Sequence, residues 1–270
     1  MVKVGFSSDN HLDLNKVDWR WAAREQANYL LRAGVEAYFI LGDVSNHYER
    51  TYQYVTYLQE QLAAQVQVRF ILGNHDMSSD LTYDQIESIE SPFYLHNHYL
   101  DIVGTSWRVI GHNGWYDYGF SPMMDEASGQ RFHYGFYYDR IIQQSMSDRE
   151  RTDIALNQLQ AQLTRAGQAQ KQVIVVTHFV PIKDDIKVSS QRPYMQLNAV
   201  LGSPRLGKLL AGTPQVHHVF FGHHHVSSPV RQHQGTAFYN VSVGLKKRTG
   251  EWLAADFLTS WQKKLVILPL

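Results

Sequence analysis

Five apolar, strand-like runs, at residues 2–6, 37–41, 66–72, 173–176 and 216–221, each end at a cluster of glycine and polar residues. Short apolar runs with such boundaries predict buried β-strands. Between the first two, Trp19, Ala22, Ala23, Ala27, Leu30 and Leu31 recur at helical spacing, and Gly34 provides the stop. A second amphipathic stretch carries Tyr52, Val55, Leu58 and Leu62 before the run at 66–72. A third carries Leu156, Leu159 and Leu163 and ends near Gly167, ahead of the run at 173–176. Repeated strand and helix predict an α/β fold. The chain's end has a different pattern: residues 238–243, 252–258 and 265–268 look like short strands without helices between them, which predicts an antiparallel meander.

Composition narrows the class. With 270 residues, 44% of them hydrophobic, the chain can bury a substantial core, and a single domain over 1–270 is expected. Lys+Arg and Asp+Glu both number 25, so the formal net charge is +0. That balance disfavours a sequence-blind grip on long nucleic acid, which needs many phosphates neutralised. The chain has no cysteine, so disulfides and thiolate ligation are excluded. Its first residues already read as a strand, leaving no room for a secretory leader. No apolar run approaches the ~20 residues a membrane helix needs. A cytoplasmic protein without membrane partners is the expectation.

The polar clusters behind the runs are Asp9 and His11, Gly42-Asp43, Gly73-Asn74-His75-Asp76, His178, and Gly222-His223 with His225. In open α/β sheets ligands collect at the carboxyl ends of strands, so five segments can deliver these residues to one place. Extended backbone points residues i and i+2 the same way, which would let Asp9 and His11 share a site, and His223 and His225 likewise. The three glycines stand where a strand must turn beside a packed site. Seven donors exceed the three or four that one ion takes, and two ions sharing a carboxylate explain the surplus. Taken singly each cluster is weak, since Asp-x-His and Gly-Asp are common turns and a solitary histidine is more often a bonded core residue. Their joint order behind strands makes the metal-site reading. His47, His96, His98, His112, His133, His217, His218, His224 and His233 lack that context and read as surface or structural.

The order Asp-x-His, Gly-Asp, Gly-Asn-His-Asp, His, Gly-His-x-His resembles the calcineurin-like metallophosphoesterase superfamily, from Asp9 to His225. The resemblance implies two mixed sheets packed as a sandwich and flanked by helices. It also implies one ion on Asp9, His11, Asp43 and His225 and the other on Asp43, Asn74, His178 and His223, with His75 over the substrate.

The chemistry follows from charge. Two divalent ions bring four positive charges and Asp9 and Asp43 return two negative ones, so roughly two positive charges remain to attract an anionic ester. Water between such ions is acidified towards neutrality. The expected enzyme is a phosphoric ester hydrolase in which a hydroxide bridging the metals attacks phosphorus and His75 assists the leaving oxygen. Asp76 and Asn46 are rival partners for the His75 ring. Mixed histidine, carboxylate and amide ligation suits Mn, Fe, Zn, Ni or Co. The expected substrate is a small phosphorylated molecule such as a nucleotide, with a nuclease on short nucleic acid or a non-catalytic scaffold of the same fold as alternatives.

Two segments fall outside the motif set. Residues 112–140 hold Trp115, Tyr116, Tyr118, Phe120, Phe132, Tyr134, Phe136, Tyr137 and Tyr138, which can stack on a substrate or pack as a cluster of their own. Residues 181–212 hold Lys183, Lys187, Arg192 and Arg205, which either meet phosphate or face water. Both are expected to be insertions bordering the substrate site.

Overall fold

Alternation inside the apolar runs sends successive side chains to different layers, and it organises the whole molecule. A computed structural model describes residues 1–78 and 80–270. The described strands are β1 (Lys3–Ser7), β2 (Ala37–Leu41), β3 (Gln67–Ile71), β4 (His98–Asp101), β5 (Trp107–His112), β6 (Gln172–Thr177), β7 (Val216–Phe221), β8 (Arg231–His233), β9 (Thr236–Asn240) and β10 (Val266–Pro269). The helices are α1 (Trp19–Ala33), α2 (Tyr48–Leu62), α3 (Asn74–Met77), α4 (Tyr83–Glu87), α5 (Glu126–Phe136), α6 (Asp148–Gln168), α7 (Arg192–Ala199), α8 (Pro204–Ala211) and α9 (Phe257–Lys264). A 3₁₀ turn occupies Tyr138–Ile141.

One sheet has four strands in the order β10-β1-β2-β3, the other six in the order β4-β5-β6-β7-β9-β8. Val4, Phe6, Phe39 and Leu41 from the first sheet meet Val109, Ile174, Val176 and Phe220 from the second, forming the core between sheets. Phe6 stacks on Phe220 across that gap with centroids 3.7 Å apart. The intervening residues face outward: Tyr38, Ile40, Val68 and Phe70 pack with Ala23, Leu30, Val55 and Leu58 of α1 and α2. Val173, Val175 and Val219 pack with Leu159 and Leu163 of α6 and Leu206 and Leu210 of α8. The result is the expected sandwich of mixed sheets between helical layers. Local signals agree: Asp18 caps α1 by accepting from the Trp21 N–H, and Gly34 closes it at φ 70°. Among the described residues no helix is long and apolar enough to cross a membrane.

The predicted C-terminal meander is wrong. β9 lies parallel to β7, and β10 leaves for the other sheet, where it runs antiparallel to β1. Between them the stretch 252–258 is a loop leading into α9 rather than a strand. The Asp256 carboxylate caps that helix by accepting from the Thr259 N–H, while Phe257 and Trp261, four residues apart, both bury. A capped helix burying an i, i+4 aromatic pair outweighs strand propensity here.

β1, β2 and β3 are mutually parallel, as are β5, β6, β7 and β9. The residues that follow β1, β2, β3, β6 and β7 therefore leave the sandwich at one edge.

Candidate metal centre and active-site cleft

Main-chain hydrogen bonds stitch these five strand ends together. The Asp9 N–H donates to Gly42 O at 3.0 Å, the His11 N–H to Asp43 O at 2.9 Å, and the Gly222 N–H to His178 O at 3.0 Å. The Asp43 carboxylate accepts the His75 N–H at 2.9 Å, and Asp9 accepts the His223 N–H at 3.0 Å. All eight residues singled out from sequence meet in one place.

The reason for their convergence differs from simple strand alternation. Asp9, His11, Asp43 and His223 have φ of 58°, 41°, 55° and 67°, in the left-handed region rather than in extended backbone. Non-glycine residues there are uncommon, cost on the order of 1–3 kcal/mol each, and gather at functional sites. The consequence is visible at His223 and His225, which separate into different donor groups instead of sharing one. The glycines also need correction. Only Gly42, at φ 89°, uses glycine's backbone freedom. Gly73 and Gly222 are required by space: a Cβ at Gly73 would lie 2.1 Å from Asp43 Oδ1, and one at Gly222 would lie 2.2 Å from Ser8 Oγ.

Three overlapping groups of donors lie within 4.8 Å of one another: Asp9, His11 and His225; His11, Asp43 and His75; and Asp43, His178 and His223. Asp43 Oδ2 stands between them, 3.7 Å from His11 Nε2 and 3.4 Å from His178 Nε2. Asn74 Oδ1 lies 3.2 Å from His178 Nε2, beside the third group. On the other side, His225 Nε2 is 2.9 Å from Asp9 Oδ1 and 3.1 Å from His11 Nε2.

The ring orientations are fixed from behind. His178 Nδ1 donates to Leu41 O at 2.8 Å, His223 Nε2 to Val200 O at 3.2 Å, and His225 Nδ1 to Glu251 Oε2 at 2.8 Å. Each leaves its other nitrogen for the centre, the arrangement metal-ligating histidines adopt. His75 Nδ1 bonds Asn46 Oδ1 at 2.7 Å, so Asn46 is the ring's partner. Asp76 instead braces the loops, accepting N–H groups from Asp43, Val44, Ser45 and Gly73 and the Thr51 hydroxyl.

Electrostatics favour cations at this point. Burial alone would lower His178 and His225, yet Asp43 raises the first to about 9, and Asp9 with Glu251 raises the second to about 10. Burial would raise the Asp9 and Asp43 carboxyls, yet the neighbouring imidazoles hold both below the usual carboxylate range. Two buried carboxylates thus demand positive charge on either side of Asp43. His11 and His223, pushed down to about 3 by burial, are neutral donors. Mixed carboxylate, imidazole and amide donors converging on a region of negative potential fit divalent metal ions.

A family model described as calcineurin-like phosphoesterase matches residues 2–227. The chain belongs to that family. As a calcineurin-like phosphoesterase it is a hydrolase of phosphoric esters, the class its motifs imply. No curated protein sequence matches it. Among solved structures, the phosphopantetheinyl hydrolase of Mycobacterium tuberculosis is similar in fold, 15% identical over 92% of this chain and 94% of that one, with a TM-score of 0.66. A dimetal phosphatase from Danio rerio is 14% identical over 88% and 86% of the two chains, with a TM-score of 0.51.

The phosphoesterase cleft opens over the donor cluster, with a volume of about 630 Å³. Its floor includes Asp43, Asn74, His75 and His223, and its walls include Tyr137, Tyr138, Lys187, Tyr194, Lys247 and Arg248. The aromatic segment 112–140 is thereby divided. Trp115, Tyr116 and Tyr118 are buried, and the Asp148 carboxylate accepts from Trp115 Nε1, the Tyr118 hydroxyl and His133 Nδ1. Tyr137 and Tyr138 alone among its named aromatics line the cleft. Of the four cations named in 181–212, Lys187 lines the cleft and Arg205 pairs with Asp153 at 2.5 Å on another face.

Sequence reasoning missed Glu251, Lys247, Arg248 and Asp139. Asp139 is fully buried, accepts from Asn74 Nδ2 at 2.7 Å, and is pushed up to about 7 chiefly by burial. Asp139 and Glu251 follow no apolar run, and Lys247 and Arg248, although behind the run at 238–243, are not metal-ligand types, so local pattern carried no signal for them. His96, His112 and His133 are buried with Glu87, Gln158 and Asp148 as partners, and His47 and His233 pair with Asp80 and Asp184 outside the cleft. His224 lines the cleft without joining a donor group among the described residues.

Proposed function

We propose that the chain is a two-metal phosphoric ester hydrolase of small phosphorylated molecules, working as one unit over 1–270. The observation that carries this reading is Asp43 Oδ2, placed within 3.7 Å of His11 and 3.4 Å of His178 so that one carboxylate oxygen serves two donor groups. Asp9, His11, Asp43 and His225 would hold one divalent ion, and Asp43, Asn74, His178 and His223 the other. When bound, two such ions supply positive charge for the phosphoryl oxygens and acidify water towards neutrality.

The chain's own groups do the rest. Asn46 Oδ1 accepts from His75 Nδ1–H and leaves the second ring nitrogen free; in the imidazolium form that nitrogen gives its proton to the ester's leaving oxygen, and the neutral ring is reprotonated from solvent. Tyr138 stacks on the His75 ring with centroids 4.2 Å apart at 17° and limits its rotation. Lys187, Lys247 and Arg248 on the walls attract the anion, while Tyr137 and Tyr194 cover the rest of the substrate. A cleft of about 630 Å³ falls in the range of small-molecule sites, roughly 300–1,000 Å³. Segments 112–140 and 181–212 both contribute walls, which supports their part in substrate selection.

The test is to strip the protein of metal and reload it with Mn, Fe, Co, Ni or Zn, then assay p-nitrophenyl phosphate and bis-p-nitrophenyl phosphate. About two equivalents of ion per chain and metal-dependent turnover of at least one ester are expected. Failure to bind any of the five ions, with no turnover, would leave a scaffold of the same fold.

A further inference from the structure

The 3₁₀ turn Tyr138–Ile141 belongs to none of the five strand-end clusters, yet two of its residues face two consecutive residues of the Gly-Asn-His-Asp loop. Asp139 accepts a hydrogen bond from Asn74 Nδ2 at 2.7 Å, and Tyr138 lies flat on His75. We infer that this turn is a clamp on the catalytic loop, with Asp139 positioning the Asn74 amide and Tyr138 positioning the His75 ring. The inference rests on the two-metal reading above and adds positioning residues to it.

The Asp139 half follows from what a carboxylate can do. In its ionised form Asp139 only accepts, and it takes the NH₂ end of the amide through Nδ2 at 2.7 Å, which turns Asn74 Oδ1 towards His178 Nε2, 3.2 Å away. Without that partner the amide is free to rotate and offer NH₂ to the centre. Among the described residues Asp139 Oδ2 is buried outside any direct hydrogen bond and no Lys or Arg makes an ion pair with this carboxylate, although the Tyr116 hydroxyl and His133 lie near enough to favour its charge. Burying a carboxylate with so little direct hydrogen bonding is costly for the fold alone. Asn74 Oδ1 would hold a cation whose charge compensates the carboxylate, and Asp139, by accepting from Nδ2, would make Oδ1 the stronger donor.

The Tyr138 half is geometric. His11 meets the His75 ring edge-on at 4.7 Å and 82°, Asn46 holds Nδ1, and Tyr138 covers one face. Three contacts leave the ring one orientation. Ring placement matters most where the leaving oxygen needs a proton, so the effect of losing Tyr138 depends on the leaving group.

Two measurements separate the halves. In equilibrium dialysis with Mn²⁺, Asp139→Ala is expected to weaken one of the two ions about 10–100-fold, and Asp139→Asn, which keeps an acceptor oxygen, to restore it. Tyr138→Ala is expected to leave both affinities within about 2-fold. It should cut turnover of an alkyl phosphoester about 10-fold or more and that of the p-nitrophenyl ester less than about 3-fold, with Tyr138→Phe behaving as wild type. If Asp139→Ala does not fold, Asp139→Leu, which fills the volume without an acceptor, replaces it in the comparison with Asn. Folded Ala or Leu variants with two unchanged affinities overturn the Asp139 assignment. So does failure of both to fold while the Asn variant keeps two ions, because Asp139 then serves the fold alone. Equal losses on alkyl and p-nitrophenyl esters overturn the Tyr138 assignment. A wild type that binds fewer than two ions would instead sink the two-metal reading itself.

Discussion

The two sides of the Asp43 carboxylate are built differently. On one side, His178 and His223 are oriented by the main-chain carbonyls of Leu41 and Val200. On the other, His225 is oriented by the side chain of Glu251, and His11 Nδ1 is buried without a hydrogen-bond partner among the described residues. The histidines differ in cover as well: the His178 side chain is fully buried, whereas that of His225 keeps 13% of its surface exposed. Supports made of backbone belong to the fold and cannot be removed by substitution. A support made of one carboxylate on a late loop can be removed, and it ties one side to residues far from the family motif.

Substitutions that strike both sides should have the largest effect. Asp43→Asn removes the charge that both donor groups share, and turnover is expected to fall on the order of 10⁴-fold, with metal content dropping below one ion per chain. An Asp43→Asn protein that still carries two ions would break the view of the two groups as halves of one centre. His75→Ala strikes neither side. It should lower turnover about 10²–10³-fold on an alkyl ester while metal analysis still finds two ions. Loss of metal in that variant would place His75 among the ligands, as its proximity to His11 and Asp43 allows.

The same division marks what the sequence could show. Strand ends were legible because Val4, Phe39, Ile174 and their neighbours advertise burial by composition, and Asp9, Asp43, Asn74, His178 and His223 follow them directly in the chain. Their left-handed backbone was not legible, since φ at Asp9 or His223 depends on the strands packed beside them. Asp76 shows the limit well: it is adjacent to His75 in sequence, but its oxygens are consumed by four main-chain N–H groups, and Asn46 reaches the ring through space. Glu251 and Asp139 act on residues 26 and 65 positions away. Such pairings arise from topology, and no local periodicity encodes them. The α9 segment failed for a related reason, because its apolar residues are shared between a helix face and a loop.

Glu251→Ala tests the asymmetry itself. Losing the carboxylate behind His225 should weaken one ion about 10–100-fold and leave the other nearly unchanged, read as two separated steps in Mn²⁺ dialysis. Glu251 also accepts the Leu245 N–H at 2.6 Å, so Glu251→Gln, which keeps an acceptor there, should fall between alanine and wild type. Equal weakening of both ions would mean that the two sides are not separately supported.

The smallest effect is expected at the cleft wall, where Lys187, Lys247 and Arg248 belong to neither donor group. Lys187 lies over the Tyr194 ring at 4.1 Å, and Arg248 Nε is 3.8 Å from Glu251 Oε1 with most of its side chain exposed. Exposed cations contribute about 0.2–1 kcal/mol each to an anion's binding, so single alanine variants should raise KM about 1.4–5-fold with kcat unchanged. Raising salt should shrink the difference from wild type, because solvent-exposed charges are screened within about 10 Å at 0.1 M. Arg248→Ala carries the sharpest form of this test, since it removes a wall cation and also frees Glu251. If Arg248 serves only the substrate, metal affinity stays at the wild-type value while KM rises. A change in the affinity of a single ion would instead extend the support of His225 outward from Glu251 to the cleft wall.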